Sequence, residues 1–182
     1  MIEALQAHAA LPERRDKLHA FGQFVGSWNL DVRWYGPGGE LLHETSGEWH
    51  FGWILGGLAV QDVWIVPSQR RHDPLAASLP WGDYGTSVRF YDPSIGAWRS
   101  TWIGPVRGLV IPFIARETRS GVELLGDLGA DTRLRWSFSD IAPTMFTWRN
   151  EQAHRDDGVW ELRQEFKAVR QPPNAGHVAN PA

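Results

Sequence analysis

Between residues 26 and 36 the chain reads GSWNLDVRWYG, with Trp28, Leu30, Val32 and Trp34 alternating against Asn29, Asp31, Arg33 and Tyr35. An apolar period of two predicts a half-buried β-strand, and the turn signal PGG that follows ends it. Ahead of this strand the period is helical. In PERRDKLHAFGQFVG, Pro12 takes a first helical position and Leu18, Phe21 and Val25 share one face, which predicts a short amphipathic helix over about 12–25. Further strands are predicted at 40–53, 58–66, 85–91, 97–103, 108–117, 122–126, 132–140, 145–154 and 159–170, most of them separated by short Gly, Pro or Asp loops. The expected fold is mainly β. It is an antiparallel up-and-down barrel of about ten strands behind a short N-terminal helix. One domain would span 1–170, and QPPNAGHVANPA at 171–182 reads as a disordered tail. The connection at 67–85 is far longer than the rest and carries Trp81 and Tyr84, so it reads as a lid over the barrel mouth or as a plain insertion.

Hairpins allow the faces to be assigned, because residues paired across two strands point the same way. A two-residue turn at Gly56-Gly57 pairs Leu55 with Leu58 and puts Trp49, Phe51 and Trp53 on one face with Trp64, Asp62 and Val60. That face is the more apolar. Asp62, in the middle of LAVQDVWIV, is therefore expected to point inward among aromatic rings. An unpaired charge there costs several kcal/mol, so Asp62 is either tied to an Arg or Tyr as a structural pair or used on a ligand. A three-residue turn at Asp156-Asp157-Gly158 likewise opposes Arg149 to Glu165 and Glu151 to Arg163 on an outer face. The inner face then carries Phe146, Trp148, Asn150 and Gln152 against Trp160, Leu162, Gln164 and Phe166, with Asn150 opposite Gln164. Buried amides need partners. Arg89 and Arg99, near-opposite in SVRFYDPSIGAWR, read as outward and solvated, but a bulge at Gly96 would turn Arg89 to the other side, so Arg89 stays a minor candidate.

A short helix followed by Gly26-Ser27-Trp28 at the head of the first strand resembles the Gly-x-Trp signature of the lipocalin-like (calycin) barrels. In that family an Arg near the end of the last strand packs over the Trp. The resemblance implies that part for Arg170, as a cation–π contact. The series GSWN, LGGLAVQDVW, GTSVRFYDPSIGAW, RLRWSFSDI and DDGVWEL is similar to a bacterial family of lipocalin-like proteins of unknown function, over roughly residues 21 to 170. What this implies is a barrel with a central cavity and no assigned reaction. The haem-binding nitrobindin barrels are more distantly similar, but WELRQEF lacks the His that serves them as iron ligand, so no cofactor is expected.

Composition narrows the chemistry. The net charge is −3 and the Arg residues are scattered, which argues against a nucleic-acid partner and a membrane surface. MIEALQAHAALPERRDK has no continuous apolar core, so it reads as neither signal peptide nor anchor, and a cytoplasmic location is expected. The absence of Cys removes thiol catalysis and thiolate metal sites. The seven His do not form a ligand set, His43 and His50 having opposite strand parity, and no metal is expected. No Gly-x-Ser-x-Gly elbow or phosphate loop is present. Glu44 and Glu48 lie about 13 Å apart along a strand, too far for a glycosidase pair.

What stands out is 11 Trp in 182 residues, spread through almost every strand. The candidate ligand-binding residues are Trp34, Asp62, Trp64, Trp102, Trp148, Asn150 and Gln164: flat walls with a few polar groups to orient a ligand. The leading expectation is binding of a small apolar or aromatic molecule in the barrel. The alternative is a cofactor-independent enzyme of isomerase, cyclase or hydrolase type, with Asp62 as general acid or base. A homodimer stays open.

Overall fold

The computed structural model describes residues 5–76, 79, 81–156 and 158–172. Its N-terminal part is a 3₁₀ turn, Pro12–Arg14, running into helix α1 (Arg15–Gly22), with Leu18, Ala20 and Phe21 buried. Ten strands follow: β1 (Gly26–Tyr35), β2 (Leu41–Ile54), β3 (Ala59–Val66), β4 (Asp83–Asp92), β5 (Ala97–Gly104), β6 (Leu109–Thr118), β7 (Gly121–Leu128), β8 (Thr132–Ala142), β9 (Met145–His154) and β10 (Glu161–Arg170). Each pairs antiparallel with the next and β10 returns to β1, closing the barrel. Closure removes the sheet edges that ten strands would otherwise expose. The expected tail falls mostly outside the described residues.

Because every strand reverses, the two barrel ends are set by connectivity. The chain enters β1 from α1, so the helix lies at the end bounded by the starts of β1, β3, β5, β7 and β9. Phe21 and Phe24 plug that end, with ring centroids 5.9 and 4.7 Å from Phe138. Phe24 also lies 4.9 Å from Phe146 and 5.8 Å from Phe51. The Trp28 indole donates to the Phe24 carbonyl at 2.8 Å, and the Arg170 guanidinium sits 4.1 Å from the Trp28 ring centre. Arg170 also donates to the carbonyls of Gln23, Val25 and Pro143, which sews the helix end to the last strand. Gly26 is required for this approach. Its φ is +130°, and a Cβ there would stand 2.5 Å from an Arg170 nitrogen.

The β2–β3 register pairs Trp49 with Trp64, Phe51 with Asp62 and Trp53 with Val60, as the Gly56-Gly57 turn predicts. In β9–β10, Arg149 faces Glu165 and Asn150 faces Gln164, also as expected, but Arg163 then bulges and Leu162 comes opposite Glu151. One extra residue reverses the faces beyond it. The expected Glu151–Arg163 pair is therefore not formed: Glu151 takes Arg135 in a bidentate contact, both bonds 2.8 Å, while Arg163 bonds Glu161. Trp160 leaves the interior and lies 4.4 Å from the Arg135 guanidinium. Arg89 is a second correction. Asp92 pairs with Ala97, so the hairpin loop has four residues and Arg89 faces Ser100 rather than Arg99. Arg89 points inward and is fully buried.

Candidate ligand cavity

Opposite the helix the barrel is open, and a cavity of about 340 Å³ runs into it. Its walls include Trp34 from β1, Trp49 from β2, Trp64 from β3, Trp102 from β5, Trp136 from β8 and Trp148 from β9. They are inward residues of their strands, brought together by the period-two alternation. Trp148 stacks on Phe166 at 4.5 Å and meets Trp136 edge-on at 5.3 Å, and Trp102 lies between Trp136 and Trp64 at 6.1 and 5.8 Å. Offset and edge-on contacts of this kind make a stiff aromatic wall. The last lining Trp is Trp81, from the 67–82 connection, which stacks on His43 at 5.1 Å and approaches Trp34 at 5.8 Å. This connection therefore reaches over the mouth. Buried Arg70 holds it by donating to the carbonyls of Pro74 and Leu79.

Of the residues singled out in the sequence, Trp34, Trp64, Trp102, Trp148, Asn150 and Gln164 line this one cavity. Asp62 does not. Its carboxylate accepts from Arg89 and, at 2.9 Å, from the backbone N–H of Ser87, and both ionic side chains are almost wholly buried. Arg89 in turn sits 5.0 Å from the Phe21 ring, beneath the helix plug. Both carboxylate oxygens of Asp62 thus accept bonds within the barrel wall, and Asp62 is not among the residues that line the cavity.

The carboxylate that does line the cavity is Asp83, at the start of β4. Burial raises its pKa, opposed by the Tyr84 N–H, which donates to it at 2.8 Å, and by the positive charges of Arg107 and Arg70. Arg107 lies 4.0 Å away and donates to the Gly82 carbonyl. Gly104 makes room for the carboxylate, since a Cβ there would stand 2.8 Å from Asp83 Oδ2. Sequence reading missed Asp83, Arg107 and Trp136 as wall residues, and named Trp81 only as part of a connection that could cover the mouth. For Asp83 the signal was present: Asp62 pairs with Ser87, and counting back by two through Gly85 reaches Asp83 on the same face.

Several buried polar atoms of the lining side chains have no hydrogen-bond partner among the described residues: the indole nitrogens of Trp49, Trp64, Trp136 and Trp148, Ser87 Oγ, Asn150 Oδ1 and Gln164 Nε2. Among the described residues no three His, Asp or Glu side chains group as a metal site would need, and no helix is long and apolar enough to cross a membrane.

An S-type phycobiliprotein lyase from Guillardia theta matches this structure with a TM-score of 0.51, over 84% of this chain and 91% of that one, at 11% sequence identity. The chain has a lipocalin-like, or calycin, barrel fold. No family model and no curated protein matches it.

Proposed function

We propose that this barrel binds one small, flat, largely apolar molecule in its open half. The observation that carries the reading is the set of unpartnered polar atoms on an otherwise aromatic wall. Buried polar groups in folded proteins are nearly always paired, so a cluster of unpaired ones around a cavity is the mark of a site completed by something else. The volume, near the lower end of the ~300–1,000 Å³ range of small-molecule pockets, suits a molecule of about two or three rings. The Gly26-Ser27-Trp28 and Arg170 clasp fits membership of the bacterial lipocalin-like family, and a cytoplasmic location belongs to the same proposal. A phycobiliprotein lyase is built on this fold, which supports a barrel adapted to small-molecule work without specifying the ligand.

A second reading, a cofactor-independent enzyme, draws on Asp83 rather than Asp62: a carboxyl whose pKa burial raises, on the wall of an aromatic cavity, is suited to general acid catalysis. The binding reading is tested by titrating the protein with the apolar aromatic fluorophore N-phenyl-1-naphthylamine. Saturable emission enhancement at one probe per chain, reversed by competing planar compounds, is expected. Linear, unsaturable uptake contradicts it.

A further inference from the structure

The unpartnered wall atoms are not a random mixture of donors and acceptors. An indole N–H only donates, and four of the orphans are indoles, from Trp49, Trp64, Trp136 and Trp148. Gln164 Nε2 is a further donor and the Ser87 hydroxyl has a proton to give. On the acceptor side stands Asn150 Oδ1. The two amides can turn end for end and serve either sense, but the indoles cannot. The unpartnered groups of the lining side chains are therefore mainly donors, and tryptophan sets their sense.

Charge limits the partner further. The charged side chains that line the cavity are Asp83 and half-exposed Arg107, 4.0 Å apart; Asp62 pairs with Arg89 away from the lining, and buried Arg70 is held by the carbonyls of Pro74 and Leu79. No buried charge on the walls is left over among the described residues to balance an ionic ligand, and an unbalanced ion in an apolar cavity is costly. Flat rings match the aromatic walls, neutral acceptors match the donors, and ions match neither.

We infer that the cavity selects an uncharged, planar molecule whose polar atoms are hydrogen-bond acceptors, an aromatic ketone, quinone or lactone rather than an amine, phenol or carboxylate. This rests on the binding reading above and names its ligand class. A carbonyl oxygen has two lone pairs, so one such group can take two wall donors that are otherwise unpaired. Satisfying a buried orphan donor removes its desolvation penalty, and the discrimination between ligands with and without the acceptor should be correspondingly large.

The test compares four three-ring compounds of one shape, fluorene, 9-fluorenone, 2-aminofluorene and fluorene-9-carboxylate, by displacement of N-phenyl-1-naphthylamine. Fluorenone should bind about tenfold or more tighter than fluorene, with the amine and the carboxylate weaker than fluorenone. Trp136→Phe and Trp148→Phe keep a ring in place and delete a donor. At least one should lower fluorenone affinity about three- to tenfold while leaving fluorene affinity unchanged. Ser87→Ala repeats the comparison without touching a ring, and fluorene binding in each variant reports that the pocket is intact. Equal affinities for fluorene and fluorenone, or a preference for the amine or the carboxylate, overturn the acceptor inference and leave the binding reading standing. A ketone preference that survives deletion of all four indole donors and of the Ser87 hydroxyl overturns the assignment to this wall. Failure of every compound, the fluorophore included, overturns the binding reading and this inference with it.

Discussion

Towards α1, Asp62 takes two donors, Arg89 has its carboxylate, the Trp28 indole has the Phe24 carbonyl, and Arg170 bonds three carbonyls. Towards the mouth, four indoles, a hydroxyl and one atom of each of two amides on the lining side chains have no partner among the described residues, nor has Arg70 Nε in the connection above them. The same ten strands supply both halves, so sheet geometry does not explain the contrast. Its physical content lies in what each half is for. Polar groups in the closed half hold the plug on the barrel, and stranding its buried charges would destabilise it. Those in the open half belong to side chains that line a cavity, where a ligand can complete them. The closed half has its own exceptions, Arg89 Nε and Ser100 Oγ. These sit beside the ion pair and not on the cavity wall.

If the closed half is structural, breaking its ion pair should have the largest effect on stability. Asp62→Ala strands a buried guanidinium and should cost about 3–5 kcal/mol in chemical denaturation. The double variant Asp62→Leu with Arg89→Met should recover most of that, since an apolar pair of similar volume replaces two buried charges. A single variant of near-native stability would break the comparison from the structural side.

Next in size is the clasp. Arg170→Ala removes the stack on Trp28 and its bonds to carbonyls at 2.6, 2.8 and 2.9 Å, so a loss of about 2–3 kcal/mol is expected, with probe affinity within about twofold of wild type. An unchanged denaturation midpoint would show that the helix is held by its Phe plug alone.

The open half should behave in the reverse way. Gln164→Leu deletes an unpaired amide from the wall, so stability should hold or rise by up to about 1 kcal/mol while affinity for a polar ligand such as fluorenone falls. A clear loss of stability would mean that Gln164 belongs to the structural class after all.

The smallest effect expected is a pH dependence at Asp83. Burial raises its native pKa, so its contribution to stability is fully present below the ordinary carboxyl range and is lost as pH rises through the native value. Asp83→Asn keeps the bond from the Tyr84 N–H and cannot ionise. Its stability relative to wild type should improve between about pH 4 and pH 7, by about 1 kcal/mol or less. A difference that is flat with pH would contradict burial as the controlling influence.

Much of the closed half was legible in the sequence. Gly56-Gly57 sets a register that carries Asp62 inward, and Gly26-Ser27-Trp28 with Arg170 points to the clasp. The failures share one physical origin. Strand parity propagates from the turn, so the four-residue loop at Pro93–Gly96 reverses Arg89, and the bulge at Arg163 reverses Trp160. Alternation alone shows neither. Missing Arg89 left Asp62 without its partner and gave it the appearance of a functional group. Asp83 was lost for a different reason: the flanking glycines of Trp81-Gly82-Asp83-Tyr84-Gly85 read as loop, whereas β4 begins at Asp83. Trp136 was within reach, since it pairs with inward Asn150. Trp81 was legible only as part of the long connection, because a side chain there has no parity to follow.

The contrast between the two halves can be read directly from the indole N–H resonances in a ¹H–¹⁵N spectrum, assigned by single Trp→Phe variants. On addition of fluorenone, whose one carbonyl oxygen takes at most two donors, one or two of the signals of Trp49, Trp64, Trp136 and Trp148 should shift most, while Trp28, already bonded to the Phe24 carbonyl at 2.8 Å, stays where it is. Silence from the four wall indoles at saturating ligand, or a shift of Trp28 as large as theirs, would contradict the division of the barrel into a finished half and a half completed by its ligand.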